Sequence, residues 1–267
     1  MTLRERFQPG TVLLGGHRGN PHEHPENTLA SFRSAIALGV DVIECDVHLS
    51  SDGHLVVIHD HTLERTTNGS GPVGRRTWAE LRALDAGRGE QLPELDEVLD
   101  LARGHVGVAI EIKSLPVRYT GLEGKLVETL RAHRMVEDCA VICFDHRVVR
   151  HVRDLEPGLV VGALVAGRPL LLPELLTYAR AEVYSPHWSF ADDDLVREVH
   201  ELGAVVGVWT VDDAETVEHC LRAGVDAIYS NRPGVVAQLL ADRGARRPAP
   251  AETGNPGRSL EWRPAGI

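Results

Sequence analysis

No stretch of this 267-residue chain stays apolar long enough to cross a membrane. The first ten residues carry Arg4, Glu5 and Arg6 and lack the apolar heart of a secretory signal. Basic residues are in deficit, 28 Lys and Arg against 39 Asp and Glu, for a formal charge of -11. That balance argues against a general nucleic-acid or anionic-membrane surface and leaves room only for a local basic pocket. Cysteine is scarce: Cys45, Cys139, Cys143 and Cys220 show no closely repeated metal spacing. Cys45 and Cys143 fall in apparent strands and read as reduced core thiols. The composition therefore predicts a cytoplasmic protein with no nucleic-acid partner and no stable membrane insertion.

The chain is organised around residues 42–60. From Val40 to Leu49 an apolar run is broken by Glu44, Asp46 and His48, which alternate and so share one face of a strand. Ser51-Asp52-Gly53 signals a turn, and Leu55 to Ile58 is a second β-branched run ending in His59-Asp60. Acids in the middle of an apolar strand are costly unless something pairs with them, and a divalent metal or a catalytic role would meet that need. The plain alternative is the exposed face of an edge hairpin.

Thr11 to Gly16 reads as a strand ending in Gly15-Gly16-His17-Arg18-Gly19, and Pro25-Glu26-Asn27-Thr28 opens a helix that Gly39 stops. Residues 60–104 differ in texture: loop-like Arg65–Gly69 and Gly71-Pro72, then short helices at Trp78–Leu84 and Leu95–Ala102, predicting an insertion or lid. Strands follow at Val106–Ile112, Ala140–Phe144, Leu159–Val165, Glu182–Ser185, Ala204–Thr210 and Asp226–Ser230, with helical patterns between. With the strands at Thr11 and Val40 they make eight, predicting an α/β fold of the (β/α)8 TIM-barrel type over residues 1–243 with a flexible tail over 244–267. An open doubly wound sheet is the structural rival, but no glycine-rich dinucleotide fingerprint follows any strand.

In a barrel of this kind the site lies at the C-terminal ends of the strands. His17 and Arg18 would end the first strand, Glu44 and Asp46 stand near the end of the second, and His59 closes the hairpin arm. Glu111 and Lys113 would end the third strand, Trp209 the seventh, and Ser230-Asn231 the eighth. Glu44, Asp46 and Glu111 form an oxygen-rich set suited to Mg²⁺ or Ca²⁺. Arg18 and Lys113 supply fixed positive charge, Arg18 in a form suited to bidentate phosphoryl contact. His17 and His59 can exchange protons near neutral pH, and Trp209 can wall a ligand pocket. Together these are the parts for cleaving a phosphate ester. His48 and His54 read instead as a solvated face, and His22-Glu23-His24 as an exposed loop at the pocket mouth.

At this point the chain resembles the glycerophosphodiester phosphodiesterase family, from about His17 to Pro233. The matching pieces include His17-Arg18-Gly19, Pro25-Glu26-Asn27-Thr28-Leu29, Glu44-Cys45-Asp46-Val47 and Val57-Ile58-His59-Asp60. They continue through Thr62–Thr67, Leu84-Asp85-Ala86-Gly87, Glu111-Ile112-Lys113, Val208-Trp209-Thr210-Val211 and Asn231-Arg232-Pro233. The resemblance implies a metal-dependent barrel enzyme acting on a small-molecule glycerophosphodiester and releasing an alcohol and sn-glycerol 3-phosphate. It implies His17 and His59 as general base and acid, Glu44, Asp46 and Glu111 as metal ligands, and Arg18 and Lys113 as phosphate holders. Asn231 stands where the family commonly has aspartate, and Asp212 where asparagine is frequent. The alternatives are sphingomyelinase D- or lysophospholipase D-like activity on the same scaffold, or a barrel that only binds.

Overall fold

The computed structural model describes residues 2–7 and 10–245. A single helical turn, α1 (Leu3–Arg6), precedes the alternation β1 (Leu13–Gly16), α2 (Leu29–Ala37), β2 (Val42–Leu49), β3 (Leu55–Val57), α3 (Trp78–Arg82) and α4 (Leu95–Ala102). Then come β4 (Gly107–Ile112), α5 (Leu122–His133), β5 (Cys139–Cys143), α6 (His146–Leu155), β6 (Val160–Val165) and α7 (Leu172–Ala179). The chain continues through β7 (Val183–Pro186), α8 (Asp193–Glu201), β8 (Val205–Val208), α9 (Ala214–Ala223), β9 (Ala227–Ser230) and α10 (Pro233–Asp242).

Strand β1 pairs in parallel with both β2 and β9, and every neighbour between them is parallel, so eight strands close on themselves. This is the expected TIM-type (β/α)8 barrel, with β3 lying outside it as an antiparallel arm on the end of β2. Closure removes the sheet edge and buries the strands on both faces, which is why most read as near-continuous apolar runs. Two layers of packing follow from the alternation. Ile43, Cys45 and Val47 face the helices in the main core, while Val42 joins Ala109, Ala140, Val160 and Val183 inside the barrel floor. Leu3 of α1 belongs to that inner cluster and closes the N-terminal end of the barrel. Glu44 and Asp46 share Val42's parity, so the same alternation sends them up the barrel axis.

The expected insertion, 60–104, has two parts. Val56, Ile58, Leu63, Val73, Leu81, Ala86 and Leu92 bury one another in a separate small core beside the β3 arm. Helix α4 instead packs Leu95, Val98, Leu99 and Ala102 into the main core and stands where a barrel helix belongs. Its amphipathic pattern is that of an ordinary barrel helix, and only the preceding segment is added to the repeat. Among the described residues no helix is long and apolar enough to cross a membrane. All four cysteines are buried and free. Apart from Gly244 and Ala245, the tail expected over 244–267 lies outside the described residues.

Candidate active site

Strand register assembles the acidic centre. Asp46 on β2 lies directly across from Glu111 on β4, and Glu44 points the same way one step earlier on β2. One oxygen from each of Glu44, Asp46 and Glu111 lies within 4.8 Å of the others, and all three side chains are buried. Two cations answer them. Lys113 Nζ stands 2.6 Å from Glu111 Oε1 and 2.9 Å from Asp46 Oδ1. Arg18 donates its backbone N–H to Glu44 Oε2 at 2.9 Å and holds Nε 3.4 Å from Asp46 Oδ2.

That reach of Arg18 depends on a left-handed turn. Arg18 itself sits at φ +56°, followed by Gly19 at φ +88°. A Cβ on Gly19 would lie 2.3 Å from Ser31 Oγ, so only glycine lets the turn press onto helix α2. Asn27, also left-handed at φ +57°, donates Nδ2 to Asp46 Oδ2 at 2.7 Å and fixes that carboxylate from the other side.

Charge balance sets the protonation. Although burial works against it, Lys113 and Arg18 hold the Asp46 carboxyl well below the usual carboxylate range. Burial, reinforced by the neighbouring Asp46 charge, pushes Glu44 well up. Burial also raises Glu111 to about 7, against the pull of Lys113. Carboxylates driven up in this way favour a further positive charge between them. Asp46 Oδ1 is moreover buried without an aligned hydrogen bond, its contact to Lys113 being an ion pair. An all-oxygen donor set of this spacing fits a hard divalent cation.

The two histidines stand on either side, each with one ring nitrogen already committed. Asn231 donates Nδ2 to Asp212 Oδ2 at 2.9 Å, which turns its Oδ1 toward His17 Nδ1 at 2.7 Å. His17 therefore donates from Nδ1 and keeps a lone pair on Nε2. Burial and the adjacent Arg18 charge bring its pKa down to about 4, so the ring is neutral at pH 7. His59 places Nδ1 2.6 Å from Asp60 Oδ1, and burial lowers its pKa from the usual value. Asp60 is gripped by Arg65 through Nε at 2.7 Å and Nη2 at 2.9 Å, and Arg65 also binds both oxygens of Glu26. Glu26 in turn accepts from Arg18 Nη1 at 2.9 Å, so an unbroken polar chain joins the two histidine-bearing loops.

All the expected residues meet. His17, Arg18, Glu44, His59, Glu111, Lys113 and Trp209 line one chamber of about 140 Å³, with Asp46 beneath it. Tyr229 forms part of its wall, and a Cβ on Gly15 would come within 2.3 Å of that ring. Trp209 is held by Nε1 donating to the Ser185 carbonyl at 3.1 Å and meets Phe144 edge-on at 5.7 Å.

This arrangement has its counterpart among known proteins. Residues 17–235 match the model of the glycerophosphoryl diester phosphodiesterase family. The chain belongs to that family. It is 38% identical over 247 residues to a glycerophosphodiester phosphodiesterase of Caldanaerobacter subterraneus, covering 87% of this chain and 99% of that one. The crystal structure of a glycerophosphodiester phosphodiesterase from Agrobacterium tumefaciens superposes with a TM-score of 0.75 at 31% identity, covering 85% of this chain and 100% of that one. An Oleispira antarctica phosphodiesterase, solved in complex with the product sn-glycerol-3-phosphate, gives 0.80 at 29% identity, covering 88% and 100%.

Within this phosphodiesterase barrel several side chains at the site escaped the sequence reading. Asn231, expected at the end of the eighth strand but given no role there, touches His17 directly. Asp60, Arg65 and Glu26 lay inside matched motifs without a role. His48 is not on a solvated face: it is buried, donating Nε2 to the His59 carbonyl at 3.0 Å, with Nδ1 2.9 Å from Tyr119 Oη. A strand residue of inward parity at a barrel rim can be covered by the following loop, and period-two alternation does not distinguish the two cases.

Proposed function

We propose that the protein hydrolyses glycerophosphodiesters to an alcohol and sn-glycerol 3-phosphate, using one divalent ion, Mg²⁺ or Ca²⁺, and two histidines. The observation that carries this reading is the meeting of His17, His59, Arg18, Lys113 and the carboxylates Glu44 and Glu111 around one small chamber. Glu44, Asp46 and Glu111 would hold the ion. When bound, it supplies Lewis-acid stabilisation for charge developing on phosphoryl oxygens.

The protein's own groups do the rest. Arg18 and Lys113 hold the phosphoryl group and balance its charge. His17, neutral and with Nε2 unprotonated, takes a proton from the attacking water as general base, and the water oxygen bonds to phosphorus as the bond from phosphorus to the alcohol oxygen breaks. His59, oriented through Nδ1 by Asp60, acts in its imidazolium form, giving the Nε2 proton to the leaving alcohol oxygen as general acid. Trp209 walls the chamber over the glycerol phosphate half. The Oleispira relative's complex with sn-glycerol-3-phosphate supports that product.

The decisive experiment is hydrolysis of choline, ethanolamine, glycerol and inositol glycerophosphodiesters with Mg²⁺, Ca²⁺ or chelator, detecting glycerol 3-phosphate. Metal-dependent release from any member is the expected result. No release from any of them by folded, metal-supplemented protein would remove the reading.

A further inference from the structure

A second cavity, of about 480 Å³, adjoins the chamber of about 140 Å³ described above. The two share His59, Glu111, Lys113 and Phe144, whereas His17, Arg18 and Glu44 line only the smaller one. Lys113 thus stands at the junction of the two spaces, with Arg18 and the base on the smaller side, and the acid faces both.

From this division we infer that the larger cavity is the binding site of the leaving alcohol, and that it takes neutral alcohols with an apolar body. The inference rests on the acid–base assignment proposed above. A general acid must reach the leaving oxygen, so the alcohol lies on the His59 side, and of the two cavities the larger is the one that extends beyond His59 without reaching His17. Beside the polar His61, Thr62 and Ser114, the cavity has an apolar wall of Leu115, Pro116 and Phe144, with Leu115 64% and Phe144 38% exposed. Both carboxylates that line the cavity are engaged. Asp60 is held by Arg65 and His59, and Glu111 pairs with Lys113. A cationic head group therefore meets no unengaged carboxylate among the cavity's lining residues, while an alkyl group gains contact with Leu115 and Phe144.

The test uses two synthetic esters of sn-glycerol 3-phosphate, with ethanol and with 1-hexanol. Their leaving groups have nearly equal acidity, so a rate difference reports contact with the alkyl chain and not leaving-group chemistry. The hexyl ester is expected to show kcat/KM at least about tenfold above the ethyl ester, a fraction of what burying four methylenes fully would give. Leu115→Ser and Phe144→Ala should each bring the hexyl-to-ethyl ratio toward one. Equal rates for both esters in the native enzyme, or a ratio unmoved by both substitutions, would overturn the inference while leaving the hydrolytic reading intact. A preference that appears only when the hexyl group is carried on the glycerol oxygen would overturn it too, by assigning the apolar wall to the other half of the substrate. Failure to cleave either ester by protein that does release glycerol 3-phosphate from the choline, ethanolamine, glycerol or inositol diesters would overturn the inference alone, whereas failure on every substrate, by protein with a native melting profile and metal present, would remove the hydrolytic reading and this site with it.

Discussion

Arg65 holds the carboxylate of Asp60 with two hydrogen bonds while that carboxylate meets His59 Nδ1 at 2.6 Å. The arrangement fixes which ring nitrogen of His59 is committed and leaves Nε2 for the substrate. Arg65 comes from the added segment and not from a barrel strand, so that segment reaches the site through Arg65 as well as Asp60. An orienting carboxylate acts on turnover more than on binding. Asp60→Asn should therefore lower kcat by about 10- to 100-fold with little change in KM, as loss of a ligand-orienting partner does elsewhere. Arg65→Ala should give a smaller loss in the same parameter. Steady-state kinetics decide: a rise in KM at constant kcat would assign both residues to substrate binding instead.

His17 lacks the anionic partner that His59 has; its Nδ1 faces the neutral amide of Asn231. Burial and the Arg18 charge hold its pKa near 4, which keeps the base form populated across the neutral range. Asn231→Asp would set a carboxylate against the ring, favour the imidazolium and raise that pKa. The acid limb of the kcat/KM profile should then move to higher pH, since the essential unprotonated base is lost earlier on acidification. His17→Ala, by contrast, should lower turnover about 10²- to 10⁴-fold at every pH. An unshifted acid limb in the Asn231→Asp variant would show that His17 does not control it.

The buried carboxylates also make a prediction that does not depend on turnover. Glu44 is raised by burial and by Asp46, and Glu111 by burial to about 7, so a cation binding among them relieves repulsion present in the folded chain. Binding to the folded form alone stabilises by about 2.7 kcal/mol at a hundredfold excess over Kd. Mg²⁺ or Ca²⁺ should therefore raise Tm, and chelator should reverse the rise. Glu44→Gln should remove most of the effect while leaving the fold, because the amide keeps the shape and loses the charge. A metal-independent Tm in the native protein would count against the carboxylate triad as an ion site.

Much of this site was legible because two simple periodicities coincide. Alternation put Glu44 and Asp46 on one face, and the strand-end rule of a β/α barrel put Arg18, Glu111 and Lys113 on the same rim. What escaped is of another kind. Asn231 and His17 are 214 residues apart, and Arg65 and Glu26 are 39 apart, so their contacts exist only after closure of the barrel. Each is also a polar residue in a loop, a composition that solvated loops share. The boundary of the insertion was blurred for a related reason. Helix α4 shows its apolar stripe plainly, but its assignment to the main core depends on what it packs against.

His48 gives the pH dependence of stability. It is buried, and that burial takes its pKa down to about 4 even though its bond to the His59 carbonyl works the other way. The folded protein therefore keeps this ring neutral where the unfolded chain, near 6.5, takes up a proton. Above about pH 6.5 neither state is protonated and the native protein loses nothing. Between about 6.5 and 4 the unfolded state gains protons that the folded state refuses, so stability falls as pH falls. At pH 5 the loss from this residue comes to about 2 kcal/mol. Denaturant titrations at about pH 5 and about pH 7.5 on the native protein and on His48→Gln, which has nothing to titrate, should show that the substitution removes about that much acid destabilisation, the contributions of His17 and Glu111 being common to both proteins. The Gln variant will be less stable at both values, since it cannot reproduce both bonds of the imidazole. It is the difference between the two pH values, and not the absolute stability, that tests the assignment. An undiminished pH effect in His48→Gln would move the origin to His17, the other histidine held near 4.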